Sequence, residues 1–320
     1  MESARKAITT DGRVALKRSP NVRDRLGYTP YWESIMRYRG TTRCGLVWAV
    51  LTSLAAIAAA ADPVAPEFGP LSCRIMNYNQ YQDDAWAHIH SIGLNYVFIA
   101  VPPLEKVEAV RARLAQNGLH LAVMRGDANL TTANGIDGLA TQLQACRLLD
   151  VHYMFLSPKH PGATREEACE RLRRGGELAR KYGVTLVLET HPDLGTNADV
   201  HRETMQRIHH PNVRVNFDTG NISFYNRGRV AAKELEKIID YVATMEIKDH
   251  NGQYQDWNFP PLGKGVVDIP AVLRVLREHH FQGPVTMEVE GVHGIRLGED
   301  QIKKNMADSV KYMKSLGTYR

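Results

Sequence analysis

The sequence predicts a single-domain α/β protein, a (β/α)8 TIM barrel, on three observations. Eight short β-rich apolar runs recur from Cys73 onward, amphipathic helical stretches lie between them, and ionisable residues gather at the carboxyl ends of the later runs. The 320-residue chain is 43% hydrophobic and 23% charged, a composition that supports a sizeable core. A doubly wound open sheet would use the same alternation, but no Gly-rich dinucleotide loop follows the first run.

In order, the strand candidates are CRIMNY (73–78), YVFIAV (96–101), LHLAVM (119–124), HYMFLS (152–157), TLVLET (185–190), VRVNFD (213–218), ATMEIK (243–248) and PVTMEV (284–289). Helix candidates between them include EKVEAVRARLAQNG, which ends at Gly118, and REEACERLRRGGELARKYG, which ends at Gly183. In a barrel of this kind chemistry belongs at the carboxyl ends of the strands. Those ends carry Asn77 at the first strand; Lys159 and His160 after the fourth; Glu189 and His191 at the fifth; Asp218 and Asn221 at the sixth; Glu246, Lys248 and His250 at the seventh; and Glu288 and Glu290 at the eighth. Strand side chains two apart share a face, so MEIKDH lines one wall with three ionisable groups.

Each of Glu189, Asp218, Glu246 and Glu288 follows a hydrophobic stretch, where a desolvated carboxylate is costly to ionise. Gathered at one mouth they would repel one another, and a hard divalent cation with oxygen ligands relieves that repulsion. For any one of them the alternative is an ion pair with a barrel Lys or Arg. The long segment NGQYQDWNFPPLGKG (251–265) follows, in which Trp257 and Phe259 either form a lid that stacks on a ligand or pack the loop onto the barrel.

The net charge of +5 does not mark a nucleic-acid protein. Residues 1–61 hold ten Lys/Arg against four Asp/Glu, which leaves 30 against 31 in the remainder. RYRGTTR followed by the 17-residue run Gly45–Ala61, with Ala59 and Ala61 before Asp62, has the order of a secretory signal peptide. We therefore expect a signal peptide at 36–61 starting at Met36, the barrel at 62–320, and residues 1–35 as a mis-assigned or disordered extension. A periplasmic or secreted location follows, with no stable membrane anchor after cleavage. The three cysteines beyond the signal show no C-x-x-C spacing and encode neither a disulfide framework nor a zinc knuckle.

LVLETHP, FDTGN, MEIKDHNG with the later WNFPPLGKGVVD, and MEVEG together resemble the sugar phosphate isomerase/epimerase group of xylose-isomerase-like TIM barrels. The resemblance implies one divalent metal ion, Mn2+ or Mg2+, held by Glu189, Asp218, Glu246 and Glu288. It implies Glu189 and Glu288 as catalytic acid/base groups acting beside a sugar carbonyl. His191, Lys159, Asn221, Lys248, His250 and Trp257 are the substrate-binding candidates. Members of the group usually carry histidine where this chain has Glu246, so either Glu246 is the strand-seven ligand or His250 reaches the metal while Glu246 pairs with Lys248. The expected activity is a metal-dependent isomerase or epimerase on a small carbohydrate. A lyase or hydratase on an oxidised sugar or 3-keto-glycoside, and a non-enzymatic carbohydrate-binding barrel, are the alternatives.

Overall fold

The computed structural model describes residues 66–320. The expected signal peptide and the 1–35 extension lie outside them. Parallel strands β1 (Leu71–Arg74), β2 (Tyr96–Ala100), β3 (His120–Arg125), β4 (Tyr153–Leu156), β5 (Thr185–Glu189), β6 (Val213–Asp218), β7 (Val242–Ile247) and β9 (Val285–Met287) form a closed eight-stranded barrel. Closure comes from parallel pairing of β9 with β1, Leu71 opposite Val285 and Cys73 opposite Met287. The barrel predicted from the alternation is the barrel observed.

The strands are near-continuous apolar runs because both of their faces are covered. One face meets the helices through residues such as Cys73, Met124, Leu186 and Met245, all buried. Inside the barrel a smaller apolar floor of Phe98, Ala122, Phe155 and Val187 fills the centre. Some of the helices begin at side-chain caps. Thr164 and Glu167 form a reciprocal capping box at the start of α4 (Arg165–Lys181), and Asp268 accepts from the Ala271 amide at the start of α8 (Ile269–Glu278). Among the described residues no helix is long and apolar enough to cross a membrane.

The first strand departs from expectation. It covers 71–74 rather than 73–78, and the chain then turns through a 3-10 segment, Ile75–Tyr81, in which Asn79 takes φ 50°, ψ −119°. The carboxyl end of β1 is therefore Arg74, not Asn77.

The long loop after β7 is organised by one side chain. The Asp249 carboxylate accepts hydrogen bonds from the amides of Gly263 (2.9 Å), Gly265 (2.8 Å), Val267 (3.1 Å) and His250 (2.9 Å). A Cβ on Gly265 would lie 2.2 Å from Asp249 Oδ1, so glycine is what allows this approach. A two-residue antiparallel ladder, β8 (Asn258–Phe259) with β10 (Gly291–Val292), ties the same loop to the segment after β9. Charge-assisted hydrogen bonds contribute about 1.5–3 kcal/mol each. Asp249→Asn, which loses the charge and replaces one acceptor oxygen by a donor, is expected to destabilise the protein by about 2–3 kcal/mol and to open 250–267 to limited proteolysis before the barrel.

His201, on α5 (Ala198–Ile208), is fully buried, with Nε2 3.2 Å from Thr190 Oγ1 and Nδ1 without a hydrogen-bond partner among the described residues. Burial pushes its imidazolium down to about 3. Between that value and the ordinary 6.5 the unfolded chain binds a proton that the folded one does not. Stability is therefore complete above pH 6.5 and declines as pH falls toward 3. Urea midpoints measured across that window should fall with pH, and His201→Gln should flatten the slope.

Candidate active site

Register brings the polar side chains of four consecutive strands to one centre. Glu189 pairs with Asn216, Asp218 with Glu246, and Glu246 with Thr286 across β5, β6, β7 and β9. Oxygen atoms of Glu189, Asp218 and Glu246 lie within 4.8 Å of one another, the spacing of groups able to share one ion. Asp218 divides its carboxylate. Oδ1 caps α6 (Thr219–Tyr225) by accepting from the Asn221 amide at 2.9 Å, whereas Oδ2 is buried with no hydrogen-bond partner among the described residues and faces the Lys248 ammonium at 3.8 Å. A buried carboxylate oxygen without a hydrogen bond suits a cation ligand. The oxygen-only donor set suits a hard divalent ion, so the residues present fit Mn2+ or Mg2+.

Glu288, expected as the fourth ligand, stands outside this cluster. Ser72 pairs with Thr286, so two residues further along, one pleat nearer the mouth, Arg74 comes level with Glu288. The Arg74 guanidinium ion-pairs with Glu246 through Nε and with Glu288 through Nη1. It also lies over the rings of Phe155 (4.6 Å) and Phe98 (4.9 Å), so the inner floor supports it. Glu246 Oε2 accepts in turn from Asn216 Nδ2 (2.8 Å), and Asn216 Oδ1 accepts from Thr244 Oγ1 (2.6 Å). The second cation, Lys248, reaches Glu290 at 2.5 Å, Glu288 at 3.1 Å and Asp218 at 3.8 Å, and its ammonium sits 4.1 Å from the Phe259 ring centre. Lys248 passes close to Gly220, where a Cβ would come 2.8 Å from its Cγ.

Five carboxylates thus face two cations, and the charges do not balance. Burial pushes the Glu246 carboxyl up to about 8 against the pull of Arg74, with Glu288 and Glu189 adding to the push. Burial also raises Asp218 well above the carboxylate range, against Lys248 and with Glu288 and Glu246. Burial acts upward on Glu288 too, but Arg74 and Lys248 outweigh it and leave it below its ordinary value. The two cations hold one carboxylate ionised, and the deeper ones retain an electrostatic demand for protons or a further positive charge.

The other candidates are placed as follows. Asn221 is buried and bridges Thr190 O (3.0 Å) to Lys248 Nζ (3.3 Å), so it orients the lysine. His191 is half-buried at the mouth, edge-on to Tyr225 at 5.0 Å. Lys159 is exposed on the bridge with Asn129, and His160 beside it turns to Ala163 O (3.0 Å). Trp257 packs edge-on against Phe224 and Phe259 and remains 42% exposed, consistent with both roles considered for it. His250 turns toward the loop and α6. Its Nδ1 accepts from the Gly252 amide (3.2 Å) and contacts Ser223 Oγ (2.8 Å), and its Nε2 meets Asp256 O (3.0 Å). An amide can only donate, so Nδ1 is the acceptor and Nε2 carries the proton. Both nitrogens are thus engaged, Nδ1 by Gly252 and Ser223 and Nε2 by Asp256. Between Glu246 and His250 as the strand-seven member of the cluster, the geometry selects Glu246.

A model describing the xylose isomerase-like TIM barrel matches residues 86–316, and the chain belongs to that family. Among solved structures it is similar to D-psicose 3-epimerase from Clostridium cellulolyticum H10, determined with D-tagatose (16% identity, 77% of this chain and 99% of that one, TM-score 0.63). It is also similar to 3-keto-D-glucoside 4-epimerase from E. coli (16%, 77% and 99%, TM-score 0.61). A third is a Bacillus anthracis protein described as the probable 3-DHS dehydratase involved in petrobactin synthesis (14%, 77% and 98%, TM-score 0.61). At these identities the likeness establishes the fold. No curated protein matches the sequence.

Proposed function

We propose that the protein is a metal-dependent sugar isomerase or epimerase that withdraws a proton from the carbon next to a carbonyl and returns it through an enediolate. The observation that carries this reading is the convergence of Glu189, Asp218 and Glu246 around one point, with no hydrogen bond to Asp218 Oδ2 among the described residues. Those three would hold the ion, which when bound supplies Lewis-acid polarisation of the carbonyl. Among the described residues no side chain hydrogen-bonds the Glu189 carboxylate, and it is half-buried at the mouth, so it is available to accept a proton from carbon. Glu288, three strands round the barrel from it and kept ionised by Arg74 and Lys248, serves a different side of the substrate. Lys248 donates to the oxygen on which negative charge develops, with Asn221 aiming it. Export is part of the same proposal, and N-terminal sequencing of exported protein that found residues 1–35 intact would contradict it.

The test is solvent-deuterium incorporation into free ketohexoses and 3-keto-glycosides, with and without Mn2+. Mn2+-dependent incorporation without loss of a group supports the proposal. Incorporation coupled to expulsion of a leaving group converts it to the lyase, which uses the same proton abstraction. Sugar binding with no exchange would leave a carbohydrate-binding barrel.

A further inference from the structure

All three acids of the cluster are placed relative to one neutral residue, Asn216. Its backbone pairs with Glu189 on β5, and its carbonyl accepts from the Thr190 amide at 3.1 Å. Asp218 follows two residues on along β6, so the two side chains share a face. The Asn216 side chain, 1% exposed, reaches across to β7, where Nδ2 donates to Glu246 Oε2 (2.8 Å) and Oδ1 accepts from Thr244 Oγ1 (2.6 Å). Thr244 stands opposite Asn216 because the strand pairing skips a residue. Val215 faces Val242 and Asn216 faces Thr244, so Ala243 is passed over. Irregularities of this kind re-aim side chains next to active sites. Without the skip, Ala243 would lie opposite Asn216 and offer its amide no hydroxyl.

We infer that Asn216, oriented by Thr244, is the positioning residue of the ion site, fixing the Glu246 carboxylate relative to Glu189 and Asp218 without itself being a ligand. The inference rests on the proposed ion site and names the residues that hold its shape. The last torsion of a glutamate is broad, so a buried carboxylate that serves as a ligand needs its plane fixed from outside. Arg74 takes Oε1 from β1 and Asn216 takes Oε2 from β6, which fixes that plane from two sides. One hydrogen bond to each oxygen leaves each a further lone pair for a cation. The Asn216 amide is held in one sense, because turned over it would set Oδ1 against Glu246 Oε2, acceptor against acceptor. The Thr244 hydroxyl reinforces that sense by donating to Oδ1. The same two bonds occupy both ends of the amide, so Asn216 supports the site rather than joining it.

Calorimetric titration with Mn2+ and urea unfolding, run on the same preparations, test this role. Asn216→Leu, close in volume and without hydrogen-bonding groups, should weaken Mn2+ binding by about tenfold or more, the usual cost of removing a group that orients a metal ligand. Thr244→Val, which keeps the shape and loses the hydroxyl, should weaken it by about threefold or more, and Thr244→Ser should restore the wild-type affinity. That second pair carries the test if Asn216→Leu fails to fold. Ser72 is the control, since its hydroxyl is equally buried on the barrel's inner face but pairs with Thr286 Oγ1 (2.9 Å) and reaches no carboxylate. Ser72→Ala should lower the urea midpoint and leave Mn2+ affinity unchanged. A lower midpoint with unchanged affinity in Asn216→Leu and Thr244→Val, or a Thr244→Ser variant as weak as Thr244→Val, would overturn the positioning role and leave the ion site standing. A wild type that binds no Mn2+ would instead overturn the ion site, and this role with it.

Discussion

Replacing Arg74 by methionine is expected to lower the unfolding free energy by about 3–5 kcal/mol, the usual result of removing one partner from a buried ion pair. Arg74 is 5% exposed, and its guanidinium touches two carboxylates that are themselves buried. Without it Glu246 and Glu288 lose their common cation, and the hydrogen bonds from Asn216 and Lys248 do not replace it. The penalty comes from the uncompensated charge rather than lost packing, because methionine still covers Phe98 and Phe155. Arg74→Met combined with Glu246→Gln should therefore recover part of the loss, with a coupling of about 1–3 kcal/mol in a double-mutant cycle. Urea unfolding of the two single variants and the double variant measures this. Additive effects would show that Arg74 and Glu246 do not act as a pair.

The second large effect separates the two glutamates. Glu189→Gln should reduce deuterium exchange by about 10²–10⁴-fold, the contribution of a positioned general base, while stability stays within about 0.5 kcal/mol. Glu288→Gln should also reduce exchange, but with about 1–3 kcal/mol of destabilisation, since Arg74 and Lys248 each lose an ionised acceptor. Exchange kinetics and unfolding curves on the same preparations distinguish them. If Glu189→Gln exchanged at the wild-type rate, Glu189 would not be the base.

Most of this centre was legible in the sequence because parallel strands announce themselves as apolar runs, and a carboxylate that ends such a run points into the mouth. Glu189, Asp218 and Glu246 each end such a run, and the structure brings their oxygens within 4.8 Å of one another. Arg74 was not legible in this way, for a local reason. CRIMNY continues its apolar character past the true strand end, and a boundary set four residues too far made Arg74 look like a mid-strand residue. The signal that would have found it is the Ser72, Arg74 alternation, two polar side chains on the inward face of a strand whose other face is Leu71 and Cys73. His250 is placed differently from its alternation partners. Period-two alternation put it on the same wall as Lys248, but β7 ends at Ile247 and the backbone turns into the loop that Asp249 gathers. Alternation stops carrying information where the strand stops. The β8–β10 ladder was invisible because two-residue pairings formed between distant loops leave no pattern in either.

The central claim is that Glu189, Asp218 and Glu246 form one site for a hard divalent ion, and calorimetric titration of the purified protein with Mn2+ tests it most directly. One ion should bind per chain. Because burial raises Asp218 and Glu246, the site holds a proton below about pH 8 that the ion must expel. Affinity should accordingly fall as pH drops from 8 to 6, and the apparent enthalpy should change between buffers of different ionisation heat. Asp218→Asn should weaken binding at least tenfold. Absence of binding, or Mn2+ affinity indifferent to Asp218→Asn, would contradict the account.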